Sequence, residues 1–182
     1  SELEKVLEEL ERLVKRIEEE IKRTNKEVRD LDEEIRKAIE RSNRETERLA
    51  REVLERIREE RDSKELAKKL IEDVRRVVEE SKKELKRLIE ESRRVVEKNE
   101  RDLRRLIEEL RRVVKELEEL ADRKKAPEEV VRRLEDLVRR LEESVERSVR
   151  TSRKSVKETE DRIREVERHD ERLVEELERA AK

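Results

Sequence analysis

A repeat constrains this chain more than any other feature. Residues 68–121 read as three copies of one 18-residue unit: KKLIEDVRRVVEESKKEL, KRLIEESRRVVEKNERDL and RRLIEELRRVVKELEELA. Eighteen residues make five turns of a straight α-helix at about 3.6 per turn, so each copy repeats the same face. Leu70, Leu88 and Leu106 share one slot, and Val77, Val95 and Val113 share another. The copies differ mainly at Val74/Ser92/Leu110 and at Ser81/Asn99/Leu117. Both slots fall inside the apolar stripe, so their Ser and Asn residues point into whatever the helix packs against.

Composition becomes informative once the repeat is seen. Asp, Glu, Lys and Arg make up 59% of the chain, and Gly, Cys, Met, Trp, Tyr and Phe are absent. That much charge usually signals disorder, and the competing class is a long helix or coiled coil. The periodicity runs along the whole chain and selects the helical class. The net charge is −2, with the two signs interleaved. This leaves no basic stripe for nucleic acid and no polybasic patch for an anionic membrane. Without cysteine there is no disulfide framework, thiolate metal site or cysteine nucleophile. No apolar run approaches the roughly 20 residues of a membrane span, and no signal-peptide core opens the chain, so a soluble protein is expected.

Three helices follow from the punctuation. Ser1-Glu2-Leu3-Glu4 has the form of a capping box. Apolar positions recur from Leu3 to Ile57 and carry a first helix over about residues 2–61. Asp62 with Glu65 is a second capping-box candidate and opens a helix over about 63–121. Arg123, Lys124 and Lys125 suit the negative C-terminal end of that helix. Pro127, the only proline, fits the first position of a third helix over about 127–181, and Ala126 before it is a weak cap. Short connections make consecutive helices antiparallel neighbours. Each apolar stripe covers roughly 120° of arc, enough to face two other helices. The expected fold is all-α: an antiparallel up-down-up three-helix bundle of long, nearly straight helices, in a single domain over residues 1–182.

Reflection about the two loops estimates the register. Residue i of the first helix lies level with roughly 124 − i of the second, and residue j of the second with roughly 249 − j of the third, to within about a turn. Asn99 then meets Thr24 and Asn25 on one side and Ser148 and Ser152 on the other. Ser92 meets Asp32, with Ser155 and Thr159. Ser81 meets Ser42, Asn43 and Thr46, with His169 and Asp170. Three polar levels coincide across three helices, and independently scattered polar residues would not do so. The expectation is a set of buried hydrogen-bond networks. An unpaired buried hydroxyl or amide costs about 1–3 kcal/mol, so such groups favour the one register that pairs them. Asn25 and Asn43 sit at the stripe edge, where water can serve instead. Asp32 and Asp170 in the stripe suggest either a pH-sensitive site or acceptors satisfied by Ser and Thr hydroxyls or by an arginine reaching in.

Catalytic chemistry finds little footing. His169, Asp170 and Ser81 supply the letters of a Ser/His/Asp triad, but adjacent helical residues point about 100° apart and no glycine turn offers an oxyanion hole. Glu165 and His169 share a helical face, yet position 166 is Val, so the Glu-x-x-His spacing of helical di-metal sites is missing. Phosphate-binding glycine loops and aromatic stacking platforms are also missing. The expectation is no catalytic residue, metal, cofactor, nucleic acid, membrane or small-molecule substrate.

The near-repetition of LIEESRRVVEKNERDL, the Gly-free loops, the missing Gln and aromatics and the capping boxes resemble a computationally designed helical bundle. Spectrin-type repeats and BAR-type domains also use three long helices, but their aromatic and glycine punctuation is missing here. The resemblance covers the whole chain and implies a parametric backbone, deliberate hydrogen-bond networks, no natural substrate and recombinant, cytoplasmic expression. The first expectation for its role is a monomeric scaffold that requires no partner. The alternative is an interaction module that self-associates or takes up a designed partner helix through the same polar levels. A mass measurement in solution separates the two.

Overall fold

Nothing between Glu2 and Glu59 interrupts a helix: the stretch holds neither proline nor glycine and keeps its apolar period throughout. In the computed structural model, which describes residues 1–124 and 127–182, this stretch is α1 (Glu2–Glu59). It is followed by α2 (Lys64–Arg123) and α3 (Glu128–Ala181). At the start of α1 the Glu4 amide donates to Ser1 Oγ at 3.2 Å, and the terminal ammonium lies 3.6 Å from the Glu4 carboxylate. The serine half of the expected box forms, and the Glu4 half is an ion-pair contact beyond hydrogen-bond distance.

The second cap differs from expectation. The Leu66 amide donates to Ser63 Oγ at 3.3 Å and the Ala67 amide to the Ser63 carbonyl at 3.2 Å. Ser63, not Asp62, is therefore the N-cap, and α2 begins one residue later than expected. A serine Oγ satisfies the amide three residues on as well as an aspartate does, so the residue nearer the apolar run takes the role. Pro127 stands immediately before α3, its carbonyl accepting from the Val130 amide at 3.0 Å. The weak cap at Ala126 and the basic Lys125 lie outside the described residues.

The contacts divide the chain into two compact units, each with a stretch of all three helices. Unit 1 comprises Ser1–Arg29 and Arg94–Lys154. Its core is one continuous apolar cluster that joins Val6, Leu10 and Ile17 of α1 to Leu103, Leu110 and Leu117 of α2 and Leu141 and Val145 of α3. Burying a side chain of this size stabilises by about 1.5–3 kcal/mol. Within this unit α1 residues 9–16 face α2 residues 109–116, while Glu27 meets Asn99, so the two helices run antiparallel. Glu142, Glu146 and Arg153 of α3 meet Arg111, Arg104 and Glu100 of α2, again antiparallel. The Arg104–Glu146 pair lies within a residue of the reflected register, and the other two sit about one turn beyond it, because long arginine and glutamate side chains reach along the groove.

Unit 2 comprises Asp30–Arg93 and Ser155–Lys182. It has two apolar clusters. One gathers Ile35, Ala38, Leu85, Ile89, Ile163 and Val166, and the other Val53, Ile57, Ile71, Val74 and Leu177. Arg93 meets Glu160 at 2.8 Å and Arg75 meets Glu178, so α2 and α3 are antiparallel here too. Asp32 and Glu47 of α1 meet Thr159 and His169 of α3 in the same order, so these two helices are parallel. Each unit is an up-down-up three-helix bundle.

Candidate functional site

The polar residues of the stripe are the places where this chemistry could differ from simple packing. Thr24, Ser42, Thr46, Ser92, Asn99, Ser148, Ser152, Thr159 and Asp170 are buried. Asn25, Asp32, Asn43, Ser81 and Ser155 are only half-buried, at the margins of the stripe.

In unit 1 the level of Asn99 holds Thr24, Asn25, Ser148 and Ser152. Ser148 Oγ donates to Asn25 Oδ1 at 2.7 Å, which joins α3 to α1. The Asn99 amide turns instead to Glu27 Oε2, at a long 3.4 Å, and the Thr24 hydroxyl has no hydrogen-bond partner among the described residues. Beside Asn99 the Glu100 carboxylate receives Arg153 Nη2 at 2.5 and 2.6 Å and Arg104 Nε at 3.2 Å. Burial acts to raise the pKa of Glu100, but the hydrogen bonds and charges of Arg153 and Arg104 outweigh it and hold the carboxyl below its ordinary value.

Unit 2 carries two levels. At the first, Thr159 Oγ1 lies 3.1 Å from Asp32 Oδ1 and 2.9 Å from the Ser155 carbonyl, and its single proton can serve one of them at a time. Asp32 also lies 3.1 Å from Arg36 Nε and 3.6 Å from Arg162 Nη1. It is thus a partly exposed carboxylate with two arginines, not the enclosed one its slot suggests. Ser92 is buried at the same level.

At the second level Ser42 and Ser81 hydroxyls are hydrogen-bonded across α1 and α2. Thr46 Oγ1 donates back into α1, 2.9 Å from the Ser42 carbonyl and 3.2 Å from that of Asn43. Asp170 is buried against this group, and its Oδ1 has no hydrogen-bond partner among the described residues. Burial pushes its carboxyl pKa up, and contacts with His169 and Thr46 reduce that rise without cancelling it. His169 Nδ1 lies 3.6 Å from Asp170 Oδ1, and Nε2 lies 3.2 Å from Glu47 Oε1. The two neighbours thus approach more closely than a 100° separation suggests, though not to hydrogen-bond distance.

Glu27, Glu47 and Glu100 all touch the polar levels and none stands out in the sequence. Where more than half of the residues are charged, one more Glu carries no local signal; only the neighbouring level, through the register, points to it. Among the described residues no group of three or more His, Cys, Asp or Glu is placed to hold a metal ion, and no helix is long and apolar enough to cross a membrane.

No family model and no curated protein matches the chain. Among solved structures it is similar to a computationally designed three helix bundle, at 18% identity over 99% of this chain and 87% of that one, with a TM-score of 0.34.

Proposed function

We propose that the chain is a designed structural scaffold with no natural biochemical activity, whose polar levels specify the register and pairing of its helices. One observation carries the reading. Polar side chains of different helices meet directly at Ser148 with Asn25, Thr159 with Asp32 and Ser42 with Ser81, within stripes that are otherwise apolar. A slip of one turn would break all three of these pairs at once, and each buried hydroxyl or amide left unpaired would cost about 1–3 kcal/mol. A stripe of Leu and Val alone would hold several registers at nearly equal energy. The five-turn repeat and the absence of Gly, Gln and aromatic residues suit a parametric backbone made by design.

The test fills the levels. Thr24, Ser42, Ser81, Ser92, Asn99 and Thr159 are each replaced by Val, and spin labels at the exposed positions Glu45 and Glu79 report the pairing of α1 with α2. The filled protein should melt at the same temperature or higher, while the single inter-label distance splits into several. One unchanged, sharp distance would sink the register role.

A further inference from the structure

Buried side-chain atoms without a hydrogen-bond partner cluster in one place. Among the described residues they are Thr24 Oγ1 in unit 1 and, in a single level of unit 2, Asn43 Oδ1, His169 Nδ1 and Asp170 Oδ1. Native interiors leave few such atoms, so three around one imidazole call for a physical account.

The ring geometry supplies one. His169 Nε2 lies 3.2 Å from the Glu47 carboxylate of α1, and a carboxylate at that distance favours the tautomer with its proton on that nitrogen. A neutral ring then carries a lone pair on Nδ1, and this lone pair faces Asp170 Oδ1 at 3.6 Å. Two buried acceptors in that arrangement repel. The Thr46 hydroxyl has a single proton to divide between Asp170 and the α1 carbonyls of Ser42 and Asn43, so it reduces the repulsion without removing it. A second proton on the pair, on Nδ1 or on Oδ1, turns the same contact into an attraction.

We propose that the Glu47–His169–Asp170 chain is a proton-linked joint between α1 and α3 of unit 2, held closed by a proton between His169 Nδ1 and Asp170 Oδ1 and loosened when that proton leaves for solvent. The imidazole is the route. It is about one-third exposed and lines an open groove with Asn43, so the pair can exchange protons without unfolding.

The surrounding charges fit a site that holds a proton. From α1 the facing groups are the Glu47 carboxylate and the neutral Asn43 and Thr46. From α2 it is the neutral Ser81, bonded to Ser42, while Glu80 and Lys82 on either side of it are exposed. On α3 the charge of Glu167 favours protonation of Asp170. Arg162, Glu165, Arg168 and Arg172 line the groove from the solvent side, where water screens them. Burial of Asp170 raises its folded pKa above the unfolded one. Its contribution to stability is therefore full below the ordinary aspartate value and is lost as pH rises through the folded value. This linkage is independent of the register role, since it concerns the proton content of one level and not how the levels select a pairing.

Hydrogen exchange on the full chain between pH 4 and 8, corrected for intrinsic rates, tests it. Protection of residues 163–181 should fall with rising pH, by up to about tenfold for each pH unit separating the folded and unfolded midpoints. In Asp170→Asn, which keeps the shape and removes the titration, that fall should disappear. Carbon-detected NMR of the unaltered protein should place the Asp170 carboxyl midpoint above the ordinary value of about 3.9. A fall that persists in Asp170→Asn overturns the joint. So does a pH-independent protection in the unaltered protein, or an Asp170 midpoint at or below 3.9, and neither of these depends on the variant folding.

Discussion

The two units are built from the same three helices and the same repeat, yet they treat a carboxylate in opposite ways. In unit 1 the core is one apolar cluster, and its acid, Glu100, sits at the margin where Arg153 and Arg104 reach it. In unit 2 two apolar clusters are accompanied by a level that encloses Asp170, with an imidazole as its nearest basic group and no arginine paired with it among the described residues. The first acid is held below its ordinary pKa and the second is pushed above it. Burial opposes ionisation at both. What differs is whether a guanidinium, which cannot give up its charge, lies within hydrogen-bonding distance. The variable slot of the repeat carries part of the same contrast: Leu110 is fully buried apolar volume in unit 1, while unit 2 holds the fully buried Val74 in one equivalent slot and the hydroxyl of Ser92 in the other.

Moving the unit 2 residue into unit 1 breaks the comparison hardest. Leu110→Ser removes a fully buried side chain from the middle of the apolar cluster and leaves a hydroxyl with no prepared partner. The expected loss is about 3–5 kcal/mol, combining the cavity with the unpaired group. Denaturant unfolding measures the total, and hydrogen exchange should assign most of it to residues 103–120 and 134–149. A loss below about 1 kcal/mol would mean that the slot tolerates serine in either setting, and the distinction between the units would fail.

The reverse change should be mild or beneficial. Asp170→Leu removes the enclosed carboxylate and continues the apolar clusters of unit 2, so stability should be equal or higher, by up to about 4 kcal/mol. Helicity by circular dichroism should be unchanged and the thermal midpoint should not fall. A collapse of helicity would show that the carboxylate is required to hold α3 in place.

Much of this architecture was legible in the residues themselves. Ser1 and Pro127 punctuate α1 and α3 to within a residue or two, because caps and the single proline act locally and strongly, whereas α2 is capped by Ser63 and not by the Asp62 beside it. The pairing of Ser42 with Ser81 falls close to the level that reflection about the first loop assigns, since a short loop leaves little freedom in register. What escaped the sequence depends on a few ångströms of reach. Asn99 turns to Glu27 and Thr46 donates into its own helix, and the arginines that reach Asp32, expected as a type, are Arg36 and Arg162 at a partly exposed margin. Helical periodicity assigns a direction to each side chain, but it does not say which of several nearby polar atoms a rotatable hydroxyl or a flexible arginine will choose. The grouping of contacts into two units was equally invisible, because the repeat runs through both without a change of composition.

The smallest effect sharpens the comparison through its sign. Glu100 has a folded pKa below the unfolded one, so its stabilisation is complete above the ordinary glutamate value and is lost as pH falls through the folded value. Acidification from pH 6 to pH 3 should therefore lower the protection of residues 94–120 and 134–154, while the Asp170 contribution in residues 163–181 rises over the same interval. Glu100→Gln should cost about 1 kcal/mol at pH 7, because the arginines it pairs with are largely exposed, and it should flatten the acid limb in unit 1 alone. Equal acid limbs with and without Glu100 would assign the limb to the many exposed carboxylates instead. Opposite slopes in the two units, each abolished by its own neutral substitution, would trace the whole difference to two residues and the cations within their reach.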